Sequence, residues 1–313
     1  MSTLPEALRR VATYQLGLPV ASRAPAAAVA GGKGVRPALA LACAVAGGGC
    51  ETDAVAAAVA VELVHNFTLL HDDIMDGDRT RRHRPAAWVE FGVPATVLAG
   101  DALLMLALRV LTHTGSLAAV ALLVESLQQL VHGQSADTSF EQCGLITMDD
   151  YLDMAAGKTG ALTSSACSLG AVLAQASPGV VQALGRFGRH LGVAFQCVDD
   201  VLGIWGDTAR TGKPVGADLL ARKKTLPVLA ALSRDRATAA PIARLYGVPG
   251  RLSPGQVQEL TRKIERAGGR AAAESEAARQ VEEALRCLER EDIPPSARMA
   301  LGTLAAQAVH RDH

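Results

Sequence analysis

The sequence predicts an all-α protein, and three observations lead to that prediction. Hydrophobic residues make up 49% of the 313 residues and recur at helical spacing over long windows. Only 3% of the residues are aromatic, and alanine and leucine outnumber the β-branched residues that favour strands. No segment alternates convincingly between apolar and polar residues. We therefore expect a single helical domain over residues 1–313.

Glycine and proline mark the turns between the predicted helices, as at 47–49 and 177–179. The expected helices are 5–17, 37–47, 52–75, 94–112, 116–133, 149–176, 180–204, 222–234, 255–267, 270–290 and 295–309. Polar, charged loops are expected at 31–37, 77–85 and 206–224. The stretch 234–255 contains three prolines and three glycines, which predicts an excursion over the surface.

Charge and composition exclude several classes of protein. Thirty-one basic residues balance thirty-one acidic ones, which argues against a nucleic-acid-binding protein, since that would need a basic face. The N-terminus lacks the apolar core of a signal peptide. An uncharged stretch at 159–185 is long enough to cross a bilayer, but its serines and proline favour two buried helices around a turn. We expect a cytoplasmic protein without membrane insertion.

The first acidic motif ends the predicted helix 52–75. Asp72 and Asp76 are four residues apart, so both carboxylates project from one helical face. Like charges at that spacing repel, and a helix gains from them only if a cation lies between them. Mg²⁺ suits such a pair, because it takes one or two carboxylates plus substrate phosphates. The alternative at this point is a solvated acidic helix end.

A second acidic pair, Asp199 and Asp200, ends another apolar helix. Adjacent aspartates after an apolar helical turn are costly to bury unless they are paired or bind a metal. Basic loops follow both acidic motifs, and a glycine-rich turn at 31–37 adds cations where exposed backbone N–H groups favour an anion. Acidic pair followed by basic loop, occurring twice, indicates Mg²⁺ bridging carboxylates to a diphosphate.

At this point the sequence resembles a family, the trans-isoprenyl diphosphate synthases, also called polyprenyl synthetases. The resemblance covers about residues 31–230 and consists of motifs in the family's order. These are Gly31–Pro37, Glu62–His65, Asp72–Asp76, Arg81-Arg82, Leu98–Asp101, Gln134–Asp137, Lys158–Gly160, Phe195–Asp200, Gly212–Pro214 and Lys223–Pro227. The family fold is an all-α bundle around a central cavity, the isoprenoid synthase type I fold, and its members are usually homodimers.

The resemblance implies a role for each matching residue. Those implied to hold Mg²⁺, three ions per active site, are Asp72, Asp73, Asp76, Asp199 and Asp200. Those implied to bind the allylic diphosphate are Arg81, Lys158, Lys213 and Lys223. Those implied to bind isopentenyl diphosphate are Lys33, Arg36, His65 and Arg82. Thr159 and Gln196 would turn oxygen dipoles toward the developing allylic cation, and with Lys158 and Lys213 they complete the expected catalytic set.

Some positions depart from the family pattern. Gly34 stands where many members have arginine, and Arg222 replaces a glycine before Lys223. Gly203 stands where the second acidic motif usually ends in aspartate, so one carboxylate is missing there. The expected consequence is weaker binding of one Mg²⁺, with Asp207 as a possible replacement.

Product length is expected to depend on the residues before Asp72. Helical geometry alone favours Thr68, which lies about 40° from Asp72, over Phe67, about 140° away. In the family that the sequence resembles, a bulky residue five positions before the first aspartate stops the growing chain. The resemblance therefore favours Phe67. It implies a geranylgeranyl (C20) diphosphate product, with farnesyl or C25 and longer products as the alternative.

Two other classes of protein fit the sequence less well than a prenyltransferase. A class I terpene cyclase shares the fold, but it would leave Lys33, Arg36 and Arg82 without a substrate and commonly uses an aromatic cavity; the chain has only ten aromatic residues. A non-catalytic subunit commonly loses the aspartates, which are intact in the first motif.

Overall fold

A computed structural model describes residues 3–18, 34–140, 146–207, 215–247, 252–289 and 292–309. Its α-helices, in chain order, are α1 Glu6–Leu16, α2 Val35–Ala46, α3 Val55–Met75, α4 Ala87–Phe91, α5 Val93–Thr112, α6 Leu117–Phe140, α7 Met148–Ala155, α8 Ala161–Leu173, α9 Pro178–Trp205, α10 Ala217–Leu220, α11 Leu226–Leu232, α12 Arg236–Tyr246, α13 Pro254–Arg266, α14 Gly269–Leu288 and α15 Pro295–Val309. A 3₁₀ turn, Glu51–Ala54, precedes α3, and a π-helical segment, Ala156–Gly160, joins α7 to α8.

The all-α prediction is confirmed. Within the described ranges, the only strands are β1, Thr80–Arg81, and β2, Arg84–Pro85, which pair antiparallel as a minimal hairpin. Sequence periodicity did not reveal this hairpin, since strands of two residues are too short to alternate measurably.

The chain divides into two compact units. The first comprises Met1–Val124, Ser165–Val181 and Pro294–Ala297, and the second comprises Glu125–Ser164, Gln182–Ile293 and Arg298–His313. The expectation of a single domain over 1–313 stays a prediction.

The first unit is built on the pairing of α3 with α5, against which α1 and α2 pack. Its fully buried side chains include Leu39, Val61, Leu70, Leu103 and Leu111. The apolar stripe of α3 therefore fixes that helix in the core, and this determines the position of its acidic C-terminal end.

The second unit has two clusters of buried side chains. One contains Tyr151, Val193 and Val201, and the other contains Ile204, Val228 and Leu260. Two glycines allow neighbouring helices of this unit to approach closely. A Cβ added at Gly133 would lie 2.1 Å from the backbone nitrogen of Lys158, and one added at Gly192 would lie 2.5 Å from the Gly160 Cα. The π-helical turn that carries Lys158 and Thr159 is thus held by contacts that no larger residue could make.

Two expectations for secondary structure are wrong. The segment 234–255 contains α12, in which Ile242 is fully buried. Asp235 caps that helix by accepting hydrogen bonds from the Ala237 and Thr238 nitrogens, and this stabilises it despite Pro241 in its interior. The single helix expected at 149–176 is interrupted by the π-helical turn.

Two helical stretches, Glu51–Met75 and Val93–Thr112, are long and apolar enough to cross a membrane by length and composition alone. They contain α3 and α5, the pair at the centre of the first unit. Core helices of soluble proteins commonly meet the same criterion, so this finding is weak support for a membrane span.

Candidate active site

The first acidic motif is held by the hairpin that follows it. Arg81 donates from both Nε, at 2.9 Å, and Nη2 to Oδ1 of Asp73, which is 1% exposed. Asp72 is half-buried and Asp76 is exposed. The helix end therefore presents two accessible carboxylates, while the third fixes a guanidinium beside them.

His65 lies two helical turns before Asp72 on the same face of α3, among arginines. Its pKa is well below the usual range, first because the imidazole is buried and then because Arg36, Arg82 and Arg81 are close. A neutral histidine surrounded by guanidinium groups forms a region of positive potential that suits an anion. The structure thus brings together three of the four residues predicted to bind isopentenyl diphosphate: Arg36, His65 and Arg82.

Gly34 explains one departure from the family pattern. It precedes α2 with φ +62°, in the left-handed region that glycine adopts without strain. An arginine at that position would have to pay a backbone penalty in this turn.

The two residues predicted to set product length differ in their surroundings. The Phe67 ring packs edge-on against His71, with centroids 4.8 Å apart, and His71 Nε2 lies 3.1 Å from the Val97 carbonyl oxygen on α5. Thr68 instead donates its hydroxyl to the His65 carbonyl, at 2.8 Å. Phe67 therefore lies on the side of α3 that faces α5, while the polar group of Thr68 is used within its own helix.

The second acidic motif is organised around Asp200, which is 4% exposed. Its Oδ2 accepts from the Tyr151 hydroxyl at 2.7 Å and from the Leu226 nitrogen at 2.9 Å. Its Oδ1 accepts from Gln196 Nε2 at 2.9 Å. Burial, with a smaller contribution from Asp218, raises its pKa to about 7. Asp200 thus caps the start of α11, and Asp199 beside it is exposed.

The polar chain continues from Asp200 to Thr159. The Thr159 hydroxyl donates to Gln196 Oε1 at 2.7 Å. Because the Thr159 hydroxyl is the donor in this hydrogen bond, its oxygen keeps its lone pairs available as acceptors. Thr159 and Gln196 were predicted to act together, and the structure places them in contact.

Lys158 and Lys223 occupy separate segments of the second unit. The Lys158 ammonium donates to Asp137 Oδ2, a residue of the Gln134–Asp137 motif for which the sequence suggested no role. The backbone N–H of Lys223 donates to the backbone carbonyl of Asp218 at 2.9 Å. Lys33 and Lys213, also predicted to bind diphosphate, lie outside the described residues.

Asp218 occupies the space that the missing side chain at position 203 would take. A Cβ added at Gly203 would lie 1.9 Å from Asp218 Oδ2. The expectation that Asp207 replaces the missing carboxylate overlooked this residue, because Asp218 comes from the following loop. Restoring aspartate at position 203 would require Asp218 to move.

The carboxylates of the two acidic motifs are the candidate metal ligands. In the described part of the chain, no group of three or more His, Cys, Asp or Glu side chains is placed to hold a metal ion. The donor chemistry still fits Mg²⁺, which usually takes one or two protein carboxylates and completes its shell with substrate phosphates and water. Asp72 and Asp76, four residues apart on α3, are such a pair.

Sequence reasoning missed the tyrosines. The chain has only three, and each donates its hydroxyl to a segment of the candidate site: Tyr14 to the Pro85 carbonyl, Tyr151 to Asp200, and Tyr246 to the Lys223 carbonyl. Their rarity in a chain poor in aromatics was the one available signal.

Comparison with known proteins identifies the family. A family model described as polyprenyl synthetase matches residues 20–264. A geranylgeranyl diphosphate synthase from Mycobacterium tuberculosis is 48% identical over 273 residues, covering 86% of this chain and 78% of its own. A (2E,6E)-farnesyl diphosphate synthase from Mycobacterium bovis is 43% identical over 288 residues, covering 90% and 80%.

Solved structures are similar over nearly the whole chain. A polyprenyl synthetase from Streptomyces coelicolor A3(2) is 40% identical with a TM-score of 0.90, covering 98% of this chain and 94% of its own. A geranylgeranyl pyrophosphate synthase from Corynebacterium glutamicum, solved with isoprenyl diphosphate and magnesium, is 28% identical with a TM-score of 0.80, covering 98% and 97%. This chain is a member of the polyprenyl synthetase family, with the all-α isoprenoid synthase fold.

Proposed function

We propose that this protein condenses isopentenyl diphosphate with an allylic diphosphate, head to tail, and that its main product is geranylgeranyl diphosphate. The observation that supports this most strongly is the presence of both halves of the chemistry. One is a carboxylate pair with an adjacent fixed arginine, and the other is a neutral histidine among arginines. A terpene cyclase would need only the first. The relative that makes geranylgeranyl diphosphate supports the product length.

The carboxylates Asp72, Asp76 and Asp199 would hold Mg²⁺, since they are the accessible members of the two motifs. When bound, the metal supplies Lewis-acid assistance to the departing pyrophosphate. The number of ions, predicted as three, stays a prediction. So do ligand roles for Asp73 and Asp200, whose carboxylates contact Arg81 and Tyr151 respectively.

The protein's own residues bind and orient the reactants. Arg81, aligned by Asp73, would neutralise charge on the allylic diphosphate, together with Lys158, Lys213 and Lys223. Arg36, His65 and Arg82, with Lys33, would hold the isopentenyl diphosphate. The allylic C–O bond breaks and pyrophosphate leaves with the electron pair. The isopentenyl double bond attacks that carbon, and the proton lost from C2 goes to the released pyrophosphate.

Thr159 and Gln196 would stabilise the cationic stage of the reaction. The Thr159 hydroxyl donates its hydrogen bond to Gln196, so its oxygen can direct its lone pairs at the allylic cation. Fixed dipoles of this kind act strongly in a site closed to water.

Phe67 would limit chain length. Its contact with His71 holds a bulky ring on the face of α3 toward α5, whereas Thr68 is small. Phe67→Ala should shift products to C25 and longer. A distribution unchanged by Phe67→Ala but shortened by Thr68→Phe would reverse this assignment.

The protein would act in the cytoplasm as a homodimer through an exposed face of α5. Leu98 and Met105 lie on one helical face and are 55% and 62% exposed, an apolar stripe that a second copy would cover. Light scattering should report a dimer, and Met105→Glu should shift it toward monomer. A wild-type monomer at micromolar concentration would contradict this.

Diphosphate release tests the proposed reaction. The protein is incubated with Mg²⁺ and dimethylallyl, geranyl or farnesyl diphosphate, with and without isopentenyl diphosphate. Release only when both substrates are present, and abolished by EDTA, supports the transferase. Release from an allylic diphosphate alone would indicate a cyclase.

A further inference from the structure

Two of the three tyrosines form the same reciprocal contact with an arginine. In the first unit, Arg84 donates Nη2 to the Tyr14 carbonyl, and the Tyr14 hydroxyl donates to the carbonyl of Pro85, the residue after Arg84, at 2.7 Å. The Arg84 guanidinium also stacks 4.2 Å from the Tyr14 ring centre. This contact ties helix α1 to the β1–β2 hairpin. We refer to it as the α1 clasp.

The second unit repeats the pattern. Arg222 donates Nη1 to the Tyr246 carbonyl at 3.1 Å, and the Tyr246 hydroxyl donates to the carbonyl of Lys223, the residue after Arg222, at 3.1 Å. This contact ties helix α12 to the loop between α10 and α11. We refer to it as the α12 clasp.

Each clasp holds a segment whose backbone is strained. Arg82 and His83, at the hairpin tip, have φ of +51° and +63°, and Arg222 has φ of +55°. Residues with a Cβ rarely adopt these angles unless the surroundings enforce them. A two-residue hairpin turn with positive φ prefers the sequence Asn-Gly, and the turn between β1 and β2 contains neither residue. The surrounding contacts must therefore maintain both conformations.

Both strained segments carry cations of the candidate site. The hairpin carries Arg81 and Arg82. Arg81 is also fixed by Asp73, so the position of Arg82 depends more on the hairpin itself. The second segment carries Lys223, whose own carbonyl is the acceptor of the Tyr246 hydroxyl.

We propose that Tyr14 and Tyr246 are positioning residues, each holding one basic segment in its strained, binding-competent shape. The proposal rests on the proposed function for the identity of the two ligands. The α1 clasp supports Arg82 and hence isopentenyl diphosphate. The α12 clasp supports Lys223 and hence the allylic diphosphate. The two effects are therefore separable.

Tyr14→Phe and Tyr246→Phe test this, because each removes one hydroxyl and keeps the ring. In steady-state kinetics with Mg²⁺, Tyr14→Phe should raise KM for isopentenyl diphosphate about three- to tenfold, the range for one net hydrogen bond. KM for farnesyl diphosphate should stay within about twofold. Tyr246→Phe should do the reverse, and kcat should change little in either. Each variant is the matched control for the other, since both lose the same kind of bond.

A rescue separates positioning from general loss of structure. Glycine adopts positive φ freely, so Arg222→Gly removes the backbone strain together with the Arg222 half of the α12 clasp. With the strain gone, adding Tyr246→Phe should raise the allylic KM by less than Tyr246→Phe does in the wild type. Arg84→Lys should reproduce the isopentenyl effect of Tyr14→Phe. Equal rises in both KM values, or no change in either, would overturn the proposal. A wild type inactive with both substrates would instead refute the proposed function.

Discussion

The acidic ends of α3 and α9 have similar sequences but are held differently. At α3 the buried Asp73 accepts two hydrogen bonds from the Arg81 guanidinium. At α9 the buried Asp200 is surrounded by neutral donors, and its pKa rises to about 7. The α3 motif has all three aspartates, whereas at α9 Gly203 leaves room for Asp218. The same pattern of acidic pair and basic loop thus gives one ion-paired end and one hydrogen-bonded end.

The largest expected effect is on catalysis at the α3 end. Asp72→Asn should lower kcat by roughly two orders of magnitude or more, because it removes a carboxylate that would hold the metal assisting pyrophosphate departure. Thermal stability should be equal or slightly higher, since like charges repel there without metal. Asp149→Asn, on the exposed first turn of α7, is the control. Near wild-type turnover of Asp72→Asn in the presence of EDTA would disprove a metal role.

Breaking the ion pair should have the next largest effect. Asp73→Asn leaves the guanidinium of Arg81 without its buried counter-charge and should lower the free energy of unfolding by about 3 kcal/mol. Urea denaturation measures this. Glu282→Gln, which breaks the exposed pair with Arg286, should cost less than about 1 kcal/mol. Equal losses in the two variants would show that burial of the pair is unimportant.

The α9 end should respond to Gly203→Asp with loss rather than gain. The new side chain would collide with the Asp218 carboxylate, so we expect a loss of about 1–3 kcal/mol of stability and no lower Mg²⁺ requirement. Adding Asp218→Gly should restore stability. Gly255→Ala, where no atom lies within 4 Å of the added Cβ, is the control. A Gly203→Asp variant that saturates at lower Mg²⁺ would favour the original expectation that only a carboxylate is missing.

The last expected effect, the smallest for a change of one pH unit, is on the pH dependence of stability. The folded pKa of Asp200, about 7, lies above its ordinary value of 3.8, so the folded state binds the proton more tightly. The contribution of Asp200 to the free energy of unfolding is fully present below pH 4. This contribution is lost as the pH rises toward 7, by less than about 1.4 kcal/mol per pH unit. Asp200→Asn should flatten the urea-denaturation profile between pH 4 and 7. An unchanged slope would show that Asp200 is charged throughout.

The sequence was sufficient for the parts of the fold set by local pattern. Helical periodicity placed α3 and α9 and their acidic ends within a few residues. The family resemblance implied one shared role for Thr159 and Gln196, and the structure places the two in contact. The helix α12 was missed because Pro241 and Gly247 outweighed the capping signal of Asp235.

What could not be predicted involves residues far apart in the chain. Tyr14 meets Pro85 across 71 positions, and Asp218 enters the space of Gly203 from another loop. Such contacts depend on how helices pack, and no period or motif encodes them. The left-handed turn of the hairpin is formed by Arg82 and His83. It likewise contains no glycine that would have indicated a turn in the sequence.

Product identification tests the central claim most directly. The purified protein is incubated with Mg²⁺, dimethylallyl diphosphate and labelled isopentenyl diphosphate, and the products are analysed by chromatography and mass spectrometry. We expect a labelled linear C20 diphosphate as the main product. An unlabelled cyclic hydrocarbon, or no incorporation of label, would contradict the assignment of this chain as a prenyl-elongating transferase.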